Sequence, residues 1–147
     1  LQTKIQSGEI ILIDSVVSET KYVAKGIVHE ALPFLKDKKL HQNTNDLLPS
    51  QKFFNMLDNQ FCNKIQRDKL EDFEYETIQK QFLNSADAKI YLLILQNKKT
   101  IGIDEYVVIN EESNSDNDGK VFKKIPAICD ILETKHCNIT TFLKEKC

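Results

Sequence analysis

Three places in this chain put carboxylates where a strand or a helix would deliver them. Asp87 stands at the head of an apolar run over residues 86–96. Glu111 and Glu112 follow a β-branched run over residues 106–109. Glu19 lies soon after another apolar run, residues 9–13. Carboxylates brought close together repel and raise one another's pKa, and a divalent cation relieves that repulsion. Oxygen-only ligation selects Mg²⁺ or Mn²⁺ over zinc. Such ions activate water and stabilise the oxygens of a phosphodiester displacement. Each acid also has a plainer reading. Asp87 by itself is a helix-start acid stabilised by the helix dipole. Glu19 by itself is a solvated residue on a helix face, and Glu111-Glu112 an ordinary loop start. Only their joint placement separates the two readings.

That placement depends on the elements that carry the acids. Short apolar strands alternating with helices argue for a parallel sheet with helices on both faces. In such sheets sites form at the carboxyl ends of the strands. Residues 1–7 read as the end of a helix stopped by Gly8, and residues 9–13 as a short buried strand. Asp14 or Ser15 caps a helix to about residue 25, closed by Gly26. Residues 27–38 read as a second helix, kinked or delayed by Pro33. A polar connection over 40–50 leads to a helix over 51–65, with Phe53, Phe54, Leu57, Phe61 and Ile65 at helical spacing. A further helix covers 68–83, with Phe73, Ile78 and Phe82 facing inward. Ser85 caps the helix of residues 86–96, which is apolar nearly all round. A strand over 106–109 and a polar loop over 111–119 follow. Ile125-Pro126 opens a helix to about residue 132. A last strand over 138–140 and a terminal helix over 142–146 close the chain.

The bulk composition bounds the function. The chain has 147 residues, 41% hydrophobic and 29% charged, which suits one globular domain. A net charge of −2 gives no global attraction to nucleic acid. No apolar run approaches the roughly 20 residues of a membrane span, and no signal-peptide pattern opens the chain. The four cysteines form neither a CxxC pair nor a zinc spacing and read as reduced thiols of a cytosolic protein. Cys129, His136 and Cys137 invite a thiol or metal reading, but Cys129 sits in an apolar pattern with Ile128 and Ile131 that favours a buried structural thiol. His29 and His41 lack metal-ligand spacing. Lys120, Lys123 and Lys124 read equally as phosphate contacts or as a solvated loop. With only 4 glycines there is no glycine-rich phosphate loop.

These residues resemble a known family. Asn84-Ser85-Ala86-Asp87-Ala88-Lys89-Ile90-Tyr91 is similar to the helix start of PIN-domain nucleases. Val108-Ile109-Asn110-Glu111-Glu112 resembles the PIN strand that ends in a hydroxyl residue and then an acid. Lys124-Ile125-Pro126, Cys129 and Cys137-Asn138-Ile139 resemble a PIN-like subgroup of unassigned function with a K-I-P-x-x-C segment. Residues 7–11 and Val16-Val17-Ser18-Glu19 are similar to the family's second strand and helix. The likeness covers nearly the whole chain. It is specific in its last part and loose between Gly26 and Leu83.

The resemblance implies a three-layer α/β/α fold with a parallel central sheet, one PIN-like domain over residues 1–147. It implies a ribonuclease dependent on Mg²⁺ or Mn²⁺, like the toxins of toxin–antitoxin pairs, acting on RNA in the cytoplasm and met by an antitoxin protein. Glu19, Asp87 and Glu112 would be the catalytic second, third and fourth acids. Glu19, Asp87, Glu111 and Glu112 would hold the metal, and Asn110, Lys123 and Lys124 would face the substrate. Asn110 stands where the family usually has a hydroxyl. Asp14 is one candidate for the family's first acid. A glutamate only five residues later favours the other register, in which the first strand and its Asp lie upstream of Leu1 and the chain is truncated. Two further readings remain open. One is a non-catalytic PIN-like module that binds RNA or protein. The other is an interaction subunit, antitoxin-bound or self-associating, whose helices around Phe53, Phe54 and Phe61 form the interface.

Overall fold

Glycine and proline punctuate the first part of the chain, and its helices are short accordingly. In the computed structural model the described residues are 1–101, 106–113 and 119–146. The elements run α1 (Gln2–Gln6), α2 (Asp14–Thr20), α3 (Ile27–Ala31), α4 (Gln51–Met56), α5 (Lys64–Arg67) and α6 (Asp72–Leu83). They continue with α7 (Ala86–Ile101), β1 (Val107–Ile109), α8 (Ile125–Ile131), β2 (Lys135–Cys137) and α9 (Ile139–Lys146). The chain is mixed α/β and mostly helical, with one two-stranded parallel sheet among the described residues. Two compact units divide it. The first comprises Leu1–Leu48 and Asn84–Leu93, the second Pro49–Leu83 and Ile94–Cys147.

In the first unit, α1 ends before Gly8, whose φ of 78° is a left-handed conformation that glycine adopts without strain. The strand expected over 9–13 shrinks to a single parallel bridge between Ile13 and Gln42. The Gln42 amide donates to the Leu12 carbonyl at 2.8 Å, and the Asp14 amide donates to the Gln42 carbonyl at 3.0 Å. Ile13 is buried, but Ile11 is 41% exposed and Ile10 and Leu12 are half-buried, so the apolar run is not buried along its length as a central strand would be. The helix expected to reach residue 25 ends at Thr20, and Gly26, left-handed at φ 88°, closes a 3₁₀ turn before α3. The long helix expected over 27–38 is cut at Ala31. Pro33 disfavours helical backbone in the residue before it, Leu32, and two 3₁₀ turns follow. Ile5, Ile13, Val17, Leu35, Leu47, Ala86, Ala88 and Tyr91 are the unit's principal buried apolar side chains.

In the second unit, the Ser50 hydroxyl accepts from the Phe53 amide and starts α4. The helix widens into a π turn over Leu57–Phe61 and stops there, short of the expected residue 65. Its stop is set by an antiparallel bridge from Cys62 to Phe122, in which Asn63 N–H donates to Val121 at 2.7 Å and Lys123 N–H to Phe61 at 2.9 Å. Ile65 accordingly falls on α5 and is 71% exposed. Phe53 and Phe61 are fully buried and meet edge to face at 6.1 Å. They are core residues and do not form the exposed interface expected of them.

The helix expected from residue 68 begins at Asp72, where the Arg67 guanidinium bonds the Asp72 carboxylate. Arg67 also lies 4.2 Å from the centre of the Tyr75 ring. Tyr75 takes the inward position, and Phe73, expected inward, is 70% exposed. Phe82 packs on Phe122 at 4.4 Å, as an inward residue should. Burial, then the hydrogen bond to Asp58, pushes the Tyr75 phenol well above its ordinary pKa.

The strand expected over 106–109 forms as β1. Its parallel partner β2 pairs Val107 with Lys135, Val108 with His136 and Ile109 with Cys137. The last strand therefore lies upstream of the expected 138–140, where Asn138 caps α9 by accepting from the Thr141 amide at 2.7 Å. The helix opened by Ile125-Pro126 forms as α8. The Lys98 ammonium closes its far end, donating to the Leu132 and Glu133 carbonyls at 2.6 and 3.3 Å. Cys129 on α8 is fully buried, and burial together with the Asp130 charge pushes its thiol up to about 12. Residues 114–118 of the expected polar loop, and Cys147, lie outside the described residues. Among the described residues no helix is long and apolar enough to cross a membrane.

Truncating the Phe53–Phe61 pair tests this core. Phe61→Ala is expected to lower unfolding free energy by about 3–5 kcal/mol, while Phe73→Ala stays within about 0.5 kcal/mol. Urea unfolding of both variants reads the difference, and equal losses would show that the inward face is misassigned.

Candidate functional site: carboxylates at helix starts

A helix leaves its first amide N–H groups without intrahelical partners. In α7 the Ser85 hydroxyl accepts from Ala88 N–H at 3.3 Å, confirming Ser85 as the cap. The first amide of the helix, Ala86 N–H, is bonded by the Glu19 carboxylate at 2.8 Å, across 67 residues of sequence. The bond brings Glu19 to the start of the helix whose first turn carries Asp87, a half-buried residue. Both acids belong to the first unit. The structure thus brings this pair to one helix start, and Glu19 occupies it as a remote cap.

Glu111 and Glu112 belong to the second unit, where they do the same work. Glu112 Oε2 accepts from Ile125 N–H, the first amide of α8, at 2.8 Å. The local cap residue of α8 is Lys124, whose side chain makes no capping bond. Glu111 Oε1 accepts from Ile139 N–H, the first amide of α9, at 2.8 Å. Asn110 orders the pair. Its amide donates to the Cys137 carbonyl at 3.0 Å, extending the β1–β2 ladder, and its side-chain oxygen accepts from Glu112 N–H at 3.0 Å.

The lysines beside this cluster have their own places. Lys123 Nζ donates to the Gln60 carbonyl at 2.7 Å, bracing the π turn. Lys124 supplies the extended backbone that precedes α8. Lys120 Nζ stands 3.9 Å from Glu112 Oε1, and with the Lys120 side chain 61% exposed the pairing is screened by water.

Asp14 stands at the start of α2. Its Oδ1 accepts from the Thr44 hydroxyl at 2.6 Å and from Ser15 N–H at 2.8 Å, and its Oδ2 accepts from Thr44 N–H at 3.2 Å. Burial alone pushes this carboxyl up. The bonds from the Thr44 side chain, the Thr44 backbone and Ser15 outweigh it, and the pKa is held below the ordinary 3.8. The sequence offers Asp14 as a helix cap or as a metal acid; the cap position of α2 falls instead on Ile13, and Asp14 is the first residue of the helix. The buried Thr44 that engages Asp14 lies 30 residues away and carries no local signal.

Among the described residues no three of Asp, Glu, His and Cys gather in a group that could hold a metal ion. Comparison with family models, with characterised proteins and with solved structures gives no match.

The Asp14–Thr44 contact has a pH signature. A carboxylate whose folded pKa is depressed stabilises the fold above its unfolded pKa, and that contribution is lost as pH falls through the folded value. Thr44→Val removes the strongest donor and is expected to cost about 1–2 kcal/mol at pH 7. The gap from the parent should narrow as pH drops below 3.8, where the carboxylate begins to protonate. Urea unfolding at stepped pH measures it, and a gap independent of pH would remove Asp14 as its source.

Proposed function

We propose that this chain is a ribonuclease of PIN type, dependent on Mg²⁺ or Mn²⁺, with the three-layer α/β/α fold of that family. The observation that carries the reading is the Glu19–Ala86 bond, which sets two carboxylates at one helix start. The parallel pairing of β1 with β2 supports a sheet of the proposed kind. The donor set fits the ion. Glu19 and Asp87 are both carboxylates, the hard oxygen donors that such an ion takes. Mg²⁺ commonly takes only one or two carboxylates and completes its shell with water and substrate phosphate oxygens.

Glu19 and Asp87 would hold the ion, which when bound supplies charge to the phosphodiester and activates water. The chain's own contribution is placement. Ala86 N–H fixes one oxygen of Glu19 and thereby the direction of the carboxylate. Asp87 is carried on the first turn of a helix of 16 residues, so its backbone is rigid. The positive end of the α7 dipole favours the approach of a phosphate anion. For the second unit the proposal rests on the family resemblance alone, which gives Glu112, with Glu111, an acid role and Asn110, Lys123 and Lys124 a substrate-side role. The chemistry expected is hydrolysis of RNA, with an antitoxin protein as the proposed regulating partner.

A second reading is a PIN-like module that binds RNA or protein without cleaving. It is favoured by the helix-capping bonds that all three glutamates already make.

Asp87→Asn keeps the size and helix position of the side chain but removes its charge. It should reduce Mn²⁺-dependent cleavage of a fluorescent RNA by about a hundredfold or more, with the unfolding midpoint little changed. Cleavage that survives in the variant would take Asp87 out of the site. RNA binding by the parent chain without cleavage at any Mn²⁺ concentration would replace the nuclease reading with the binding module.

A further inference from the structure

His29 is a buried imidazole on α3 that no part of the proposed chemistry uses, and it is tied to the end of the helix that carries Glu19. Its Nε2 lies 3.0 Å from the Thr20 hydroxyl and 3.3 Å from the Val17 carbonyl. The Thr20 hydroxyl is itself 2.7 Å from that carbonyl. The protons in this triangle can be assigned. A carbonyl only accepts, so the single hydroxyl proton of Thr20 goes to Val17 over the shortest of the three contacts. The Thr20 oxygen is then an acceptor toward His29, which requires the ring proton on Nε2. The same proton serves the longer contact to Val17.

Thr20 is the last residue of α2 and Glu19 the residue before it. The other end of α2 is held by Asp14 on Thr44 and by the Ile13–Gln42 bridge. A seven-residue helix is too short to persist by itself. Its direction is set by these two clamps, and the direction of α2 decides whether the Glu19 side chain reaches Ala86 N–H.

We infer that His29 and Thr20 are a positioning pair, which clamps the end of α2 so that Glu19 meets the first amide of α7. The inference rests on the reading that Glu19 belongs to the site, but the bond it explains can be followed without any cleavage assay.

The test is amide hydrogen exchange by NMR on the full chain, at Ala86 and at the buried Tyr91 further along α7. His29→Leu removes the ring donor at similar volume, and His29→Gln restores an N–H near the position of Nε2. Loss of one buried hydrogen-bonded tie should speed exchange of Ala86 about tenfold in His29→Leu, with Tyr91 unchanged and Ala86 protection recovered in His29→Gln. Should His29→Leu fail to fold, Thr20→Val and its rescue Thr20→Ser examine the same tie from the other side. In the parent chain the His29 ring nitrogens should show the proton on Nε2. Unchanged Ala86 exchange in both apolar variants, no recovery in Gln and Ser, or equal loosening of Ala86 and Tyr91 would each overturn the proposal. A response confined to Ala86 in a chain that never cleaves RNA would uphold the positioning pair and remove the nuclease reading alone.

Discussion

The first amide of a helix cannot find a partner within its own helix, and in this chain three such amides are met by glutamates from elsewhere in the sequence. Glu19 serves α7, Glu112 serves α8 and Glu111 serves α9. A charged acceptor on a helix N-terminus combines a strong hydrogen bond with a favourable dipole interaction. Each bond also joins segments that the chain's short elements could not hold together. Within the first unit the α2 helix is tied to the start of α7. Within the second, the end of β1 is tied to both helices that follow it.

The same geometry explains why two readings of the acids arise from the sequence. Residues placed after a strand or late on a helix are well situated to reach the beginning of another helix. They are equally well situated to converge on a cation, and for Glu19 the roles are compatible, since a carboxylate that gives one oxygen to an amide keeps the other. What distinguishes this pair is the presence of Asp87 in the same first turn.

Legibility followed the range of the interactions involved. Ser85 as a cap, Gly8 as a stop, Pro126 in a first turn and the β-branched strand before Asn110 depend on neighbours within a few residues, and all four stand where the local pattern puts them. Pro33 does more than kink or delay the helix over 27–38: it holds Leu32 out of helical backbone and divides the segment. Helix periodicity put Phe73 inward. Its neighbour Tyr75 won that place because its hydroxyl could reach Asp58, while its ring packs near Phe122 at 6.0 Å. The last strand slipped because Asn138 has a competing use as a cap. At the site, residue types and approximate positions could be read from the sequence. The partners could not, because Ala86, Ile125, Ile139 and Thr44 bond through groups with no distinctive local signature.

Helix α8 shows what such external ties imply for a short element. It has seven residues, with a carboxylate from Glu112 at its beginning and the ammonium of Lys98 at its end. Both charges oppose the helix dipole in the favourable sense. Part of what keeps this helix folded is therefore charge–dipole attraction at its two ends, which dissolved ions screen over about 10 Å at 0.1 M ionic strength and about 3 Å at 1 M. Concentrated salt would leave the two hydrogen bonds in place and weaken the charge–dipole attraction at each end, so α8 is an element whose stability answers to ionic strength as well as to temperature.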